Sequence, residues 1–168
     1  MKLVFEKIAK EEGCEYKSID KSYLGYGLSR TPETKHYLEI VYKGHVIQIN
    51  YELGNFNLGK IECELDKGTK IPDFEIIINS YFKRILNKRI QRFKVKSKNV
   101  VFNSFLQEKL ASSGIEQIGR DSLFEPQMFI EKEGQRSKLV TKFHLEFAIK
   151  HKVIKPMIRL YKTIVDYC

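Results

Sequence analysis

The sequence predicts an α+β fold in which one or two antiparallel sheets pack against about four helices. Three observations predict it. Some stretches alternate apolar and polar residues with period two, as half-buried strands do, while others repeat apolar residues at three- and four-residue spacing, as one helix face does. The strand-like stretches also follow one another through short turn signals, which favours antiparallel neighbours over long crossovers. With 168 residues, 42% of them hydrophobic and 12% aromatic, the chain is long enough for a single compact domain over 1–168 whose core needs no covalent staples. Ten glycines and four prolines exclude a collagen-like or low-complexity chain.

Taken in order, Leu3 to Glu12 reads as a short helix from Val4, Phe5, Ile8 and Ala9, with Gly13 as a left-handed cap. Glu15 to Glu33 carries Gly25, Gly27, Ser29, Thr31 and Pro32 and reads as a long connection, or a weak strand around Tyr23 to Leu28. Leu38, Ile40 and Tyr42, a break at Lys43-Gly44, then Ile47, Ile49 and Tyr51 form a hairpin. A turn over Gly54 to Asn57 leads to Lys60–Leu65, whose alternation buries Ile61, Cys63 and Leu65. From Pro72 the spacing of Phe74, Ile77, Ile78, Tyr81, Phe82, Ile85 and Leu86 predicts an amphipathic helix.

Beyond it, Ile90 to Lys96 reads as a strand. Asn99 to Ser113 is a helix with Phe102, Phe105, Leu106 and Leu110 inward, and Gly114 caps it. Ile115 to Gly119 is expected as a short strand, Pro126 to Glu133 as another, and Lys138 to Ile149 as a longer one after a Gly134-Gln135 turn. Val153 to Cys168 closes as a helix with Pro156 in its first turn, where a missing N–H is tolerated. This order suggests two pseudo-repeated α-β-β-β-α halves, 1–89 and 90–168. FEKIAKEEG and FLQEKLASSG open them, and SYFKRIL and RLYKTIV fall near their ends. Two such sheets joined edge to edge would leave one sheet face open to a partner.

Charge is distributed unevenly. Residues 1–84 carry 13 Lys and Arg against 13 Asp and Glu, and residues 85–168 carry 17 against 8, so the net charge of +9 belongs to the second half. No acidic residue lies between Glu75 and Glu108, yet Lys83, Arg84, Lys88, Arg89, Arg92, Lys94, Lys96 and Lys98 fall within sixteen positions. A displayed run of this kind attracts polyanions, because each neutralised phosphate releases condensed counterions. Nucleic acid or an anionic membrane face satisfies it, with Phe93 as a candidate stacking group. The competing explanation is a solvated, lysine-protected edge strand, since Arg92 to Lys96 alternates with period two.

No other constellation assembles a chemistry. Cys14, Cys63 and Cys168 are odd in number and lack a CxxC pair, which fits reduced thiols and a cytoplasmic location. Charged residues interrupt the first dozen positions before a secretion signal forms, and apolar runs of about three residues are far too short to cross a bilayer. His36, His45, His144 and His151 come without HExxH or paired cysteines, so no metal and no cofactor is expected. Gly25 to Arg30 lacks the GK[ST] of a phosphate loop, and Glu62 and Glu64 offer a cation only two carboxylates. The block Asp121 to Pro126 reads as a loop whose Phe124 serves as a lid or a plug. The expectation is a basic, non-enzymatic binding module. Its alternatives are recognition of nucleic acid or another polyanion through residues 83–98, self-association through a sheet face or edge, and an enzyme whose distant residues converge only in space.

Overall fold

The computed structural model describes residues 1–24, 30–54, 56–65, 71–79, 91–134 and 136–167. Their architecture is α+β: eight antiparallel strands in one sheet and four α-helices. In chain order these are α1 (Lys2–Glu12), β1 (Tyr16–Leu24), β2 (Arg30–Tyr42), β3 (His45–Leu53), β4 (Leu58–Leu65), β5 (Phe74–Ile78), β6 (Phe93–Ser97), α2 (Val100–Ser112), α3 (Ile115–Asp121), β7 (Gln127–Glu133), β8 (Arg136–His144) and α4 (Ile154–Asp166). A short 3₁₀ turn, Lys150–Lys152, leads into α4. The sheet order is β1-β2-β3-β4-β8-β7-β5-β6.

Period-two burial decides which face is covered. Leu38 and Ile40 of β2, Ile47, Ile49 and Tyr51 of β3, Ile61, Cys63 and Leu65 of β4, and Leu139 and Phe143 of β8 join one apolar cluster with Phe5 and Ile8 of α1 and Met157, Tyr161 and Ile164 of α4. Their alternates, including Glu39, Gln48, Glu62 and Lys142, face the other side. The β2–β3 hairpin closes through Lys43 and Gly44, both at positive φ (50° and 85°), the geometry whose twist suits adjacent strands. Lys43 reaches the C-terminal end of α4 through Asp166, at 2.6 Å.

Two four-stranded halves, β1 to β4 and β8-β7-β5-β6, meet where β4 pairs with β8. Gly59 lies opposite Phe143 in this register, and a Cβ on Gly59 would come within 2.3 Å of the Phe143 ring. Only glycine lets the ring cross the seam. Two residues along β4, the Ile61 carbonyl accepts from the fully buried Tyr161 hydroxyl of α4 at 2.7 Å. Having spent its one proton, the Tyr161 hydroxyl accepts from the Thr141 hydroxyl at 2.8 Å. Ile61 and Thr141 are register partners across the seam, so one side chain of α4 ties both halves of the sheet.

Several expectations are corrected. The connection expected over 15–33 contains β1 and the start of β2, paired from Tyr16–Leu38 to Leu24–Arg30. As a terminal strand exposed on both faces over most of its length, β1 has no apolar alternation to read. The helix expected from Pro72 is replaced over 74–78 by β5: Phe74 and Ile76 point inward, Ile77 outward, and Phe74 to Ile78 pair with Phe93 to Ser97. The remainder of that expected helix, 80–90, lies outside the described residues, as do 25–29 of the glycine-rich segment. Ile115 to Gly119 is helical, with Ile115 and Ile118 buried at i and i+3. The last strand ends at His144, because its partner β4 begins at Leu58; beyond it the Leu145 N–H donates to the Asn57 carbonyl at 2.6 Å. Among the described residues, 1–89 hold α-β-β-β-β-β and 90–168 hold β-α-α-β-β-α, an element order that does not by itself show the suggested repeat, and 80–89 lie outside them.

Two predictions arise here. Tyr161→Phe strands the buried Thr141 hydroxyl and removes the second donor to the Ile61 carbonyl, which keeps its place in the ladder, and should cost about 1–3 kcal/mol, a drop of several degrees in Tm; the Thr141→Val/Tyr161→Phe double variant should recover part of the loss, as a double-mutant cycle would read. His36, 4% exposed and bonded to the Tyr16 hydroxyl at 2.6 Å, has its proton affinity lowered by burial and by the nearby N-terminal ammonium. The unfolded chain therefore binds the extra proton better, so this contribution to stability is complete above about pH 6.5 and fades as pH falls below it. In thermal unfolding between about pH 7 and pH 5, wild type should lose more stability than His36→Gln.

Candidate anion-binding groove

Five of the nine residues singled out in the basic run lie in the described structure, and they divide between core and surface. Strand β6 is the last in the sheet, so its period-two pattern sends Phe93 and Val95 into the core and Lys94 and Lys96 outward. Phe93 is fully buried and meets Phe124 edge to face at 6.3 Å between centroids. A ring held there cannot stack on a base, which corrects its expected role. Arg92 is also corrected: it is 7% exposed, its guanidinium bonds Glu125 at 3.0 Å, and its backbone N–H donates to Glu116. Lys83, Arg84, Lys88 and Arg89 lie outside the described residues.

What remains is Lys94, Lys96 and Lys98, all exposed. Alternate residues of a strand are about 7 Å apart on one side, so Lys94 and Lys96 form a row that Lys98 continues around the corner into α2. None of the three has a carboxylate within 4.0 Å among the described residues. Glu75 is the register partner of Lys96 without closing on it, and Asp73 is engaged by Lys132 at 2.7 Å. A groove of about 900 Å³ runs beside this row, walled by Pro72 to Glu75, Lys94 to Asn99, and Asn103.

The groove is rigid for reasons that can be traced to side chains. The outer edge of β6 would otherwise present unpaired backbone groups. Gln107 of α2 fills that place: its carboxamide oxygen accepts from Val95 N–H and its nitrogen donates to the Phe93 carbonyl, both at 2.9 Å. Glu116 of α3 accepts from the N–H groups of Arg92 and Phe93, the latter at 3.2 Å. Gly119 lets α3 approach, since a Cβ there would lie 2.5 Å from the Phe93 ring. At the corner, Ser97 Oγ donates to the Asp73 carbonyl (2.8 Å) and Asn99 Oδ1 accepts from Phe102 N–H (2.9 Å), which starts α2. Sequence reasoning missed Gln107 and Glu116, because a polar residue on an amphipathic helix carries no sign of the backbone group it will meet.

The other candidates have structural roles. Cys63 is fully buried beside the seam, while Glu62 and Glu64 each face a lysine, Lys60 at 2.8 Å and Lys138 at 3.6 Å. Phe124 is a plug, fully buried against Phe93, Phe143 and Phe147. His144 is exposed on the face opposite the α1 and α4 cluster. No group of three or more His, Cys, Asp or Glu side chains converges as a metal site among the described residues, and no helix among them is long and apolar enough to cross a membrane. No protein-family model, curated protein or solved structure matches the chain.

Gln107→Leu removes both partners of the β6 edge and leaves a backbone N–H and C=O unpaired, each worth about 1–3 kcal/mol when buried. Amide exchange at Val95 should accelerate, and Tm should fall by several degrees. Gln107→Glu, which keeps the acceptor for Val95 and loses the donor for Phe93, should fall between the two.

Proposed function

We propose that the protein is a non-catalytic binding module that engages a polyanion, nucleic acid in the first instance, along the β6 groove. The observation that carries this is the row Lys94, Lys96 and Lys98, exposed on the rim of the groove and without ion-pair partners among the described residues. Because Gln107 and Glu116 occupy the backbone groups of Phe93 and Val95, strand addition is blocked along that part of the edge. A partner is left with side chains to read, and those side chains are cationic.

The contact expected is with phosphate rather than base. Phe93 is buried and Phe74 is 5% exposed, so among the described residues no aromatic ring in this groove offers a stacking platform. Binding should be insensitive to sequence and at least as strong for duplex as for single strand, which carries less charge per unit length.

Three lysines that each neutralise a phosphate contribute about −2 to −3 to the slope of log K against log salt. Titration of labelled duplex and single-stranded oligonucleotides at several salt concentrations should show that slope reduced by this amount in Lys94→Ala/Lys96→Ala/Lys98→Ala, with Tm unchanged because the three side chains are exposed. Absence of association at low salt, or an unaltered slope in the triple variant, overturns the proposal.

A further inference from the structure

On the helical side of the molecule a second groove, about 560 Å³, lies between α1 and the segment that starts α4. Its floor is apolar: Leu3, Val4 and Ile8 from one wall and Pro156 from the other. Leu3 is 80% exposed, at the open end of a helix face that buries Phe5 and Ile8. The rim is cationic, with Lys7 on one flank and His151, Lys152 and Lys155 on the other. Lys155 is neutralised by Glu11 at 2.5 Å, whereas Lys7 and Lys152 have no ion pair among the described residues.

Neither α1 nor α4 has an acidic residue in its first turn, and both carry a lysine there, Lys2 and Lys155. A lysine at the positive end of a helix costs a few tenths of a kcal/mol or more. Here Glu6 lies 4.0 Å from Lys2 and Glu11 2.5 Å from Lys155, so these two charges are answered within the fold, and the cations of the groove left without a carboxylate among the described residues are Lys7 and Lys152.

We infer that this groove docks an acidic, amphipathic segment of a partner protein, which places an apolar anchor on Leu3, Val4, Ile8 and Pro156 and carboxylates against Lys7 and Lys152. Charge complementarity identifies the occupant: apolar contact gives affinity in the trough, and the flanking lysines select acidic over basic partners. The trough is concave, with lysines contributed by both α1 and the start of α4, and a concave site suits a side chain entering from a partner better than a flat bilayer. This surface is independent of the β6 groove, with which it shares no residue.

The test uses the full chain and a fluorescein-labelled peptide of Glu and Asp that carries Leu and Phe one helical turn apart. Anisotropy should show saturable binding, and amide shifts should map to Leu3, Val4, Lys7 and Lys152. Replacing the peptide's Leu and Phe by Ser should weaken binding about tenfold, and so should Leu3→Ser or Lys7→Glu/Lys152→Glu in the protein. These are exposed positions, and circular dichroism verifies that each variant folds. Lys94→Ala/Lys96→Ala/Lys98→Ala should leave peptide affinity within about twofold, which separates this result from that for the β6 groove. The inference is overturned if the Ser peptide binds as well as the parent, if Lys7→Glu/Lys152→Glu has no effect, or if phosphatidylserine vesicles bind the protein while the peptide does not.

Discussion

The pairing of β4 with β8 is the constraint on which the sheet depends. Strands β1 to β4 form a sequential meander, and every strand of the other half reaches it only through this one seam. Three devices hold it: the ladder itself, the Phe143 ring over Gly59, and the Tyr161 hydroxyl of α4 joined to Ile61 on one side and Thr141 on the other. Buried hydrogen bonds of this kind add little net energy when made and cost much when broken. They therefore set the register more than they set stability: a slip by one residue would turn Ile61 and Leu139 toward water and leave Tyr161 without either partner.

The two edges of the sheet are treated differently. At β6, side chains from two helices replace the missing strand, so Lys94 and Lys96 are held in a fixed row instead of on a loose ribbon. At β1 the edge is left to solvent, with lysines at 17 and 21 and Asp20 along it, the usual protection against unwanted pairing. The basic groove thus lies along the edge whose backbone groups are occupied by side chains. A row of charges pays little entropy on binding when its scaffold is already ordered.

Much of this was legible in the residues. The β2–β3–β4 meander followed from parity at Leu38, Ile40, Ile47, Ile49, Ile61 and Cys63, and α4 from its apolar stripe, because burial on one side imprints a period. Strand β5 was not legible, since Phe74, Ile77 and Ile78 also satisfy helical spacing and only the pairing with β6 separates the two. Strand β1 left no period because residues 17–22 are exposed on both faces. In the basic run, charge density was readable but display was not. Arg92 and Lys94 are equivalent as letters, and only the tertiary contacts of Glu116 and Glu125 divert the first into structure.

The position of the seam also bears on how the chain reaches its fold. The hairpins of the meander close over a few residues, whereas the innermost β4–β8 pair, Leu65 with Ser137, encloses about seventy. Loop-closure entropy grows by about 0.6 kcal/mol per doubling, so this closure costs about 2–3 kcal/mol more than a tight hairpin before any of its contacts repay it. The meander can assemble from neighbours in sequence, but the seam is a non-local event of the kind that slows folding. Until it closes, β4 is a second unprotected border carrying Ile61, Cys63 and Leu65, and the nascent half-sheet is most open there to joining the wrong chain.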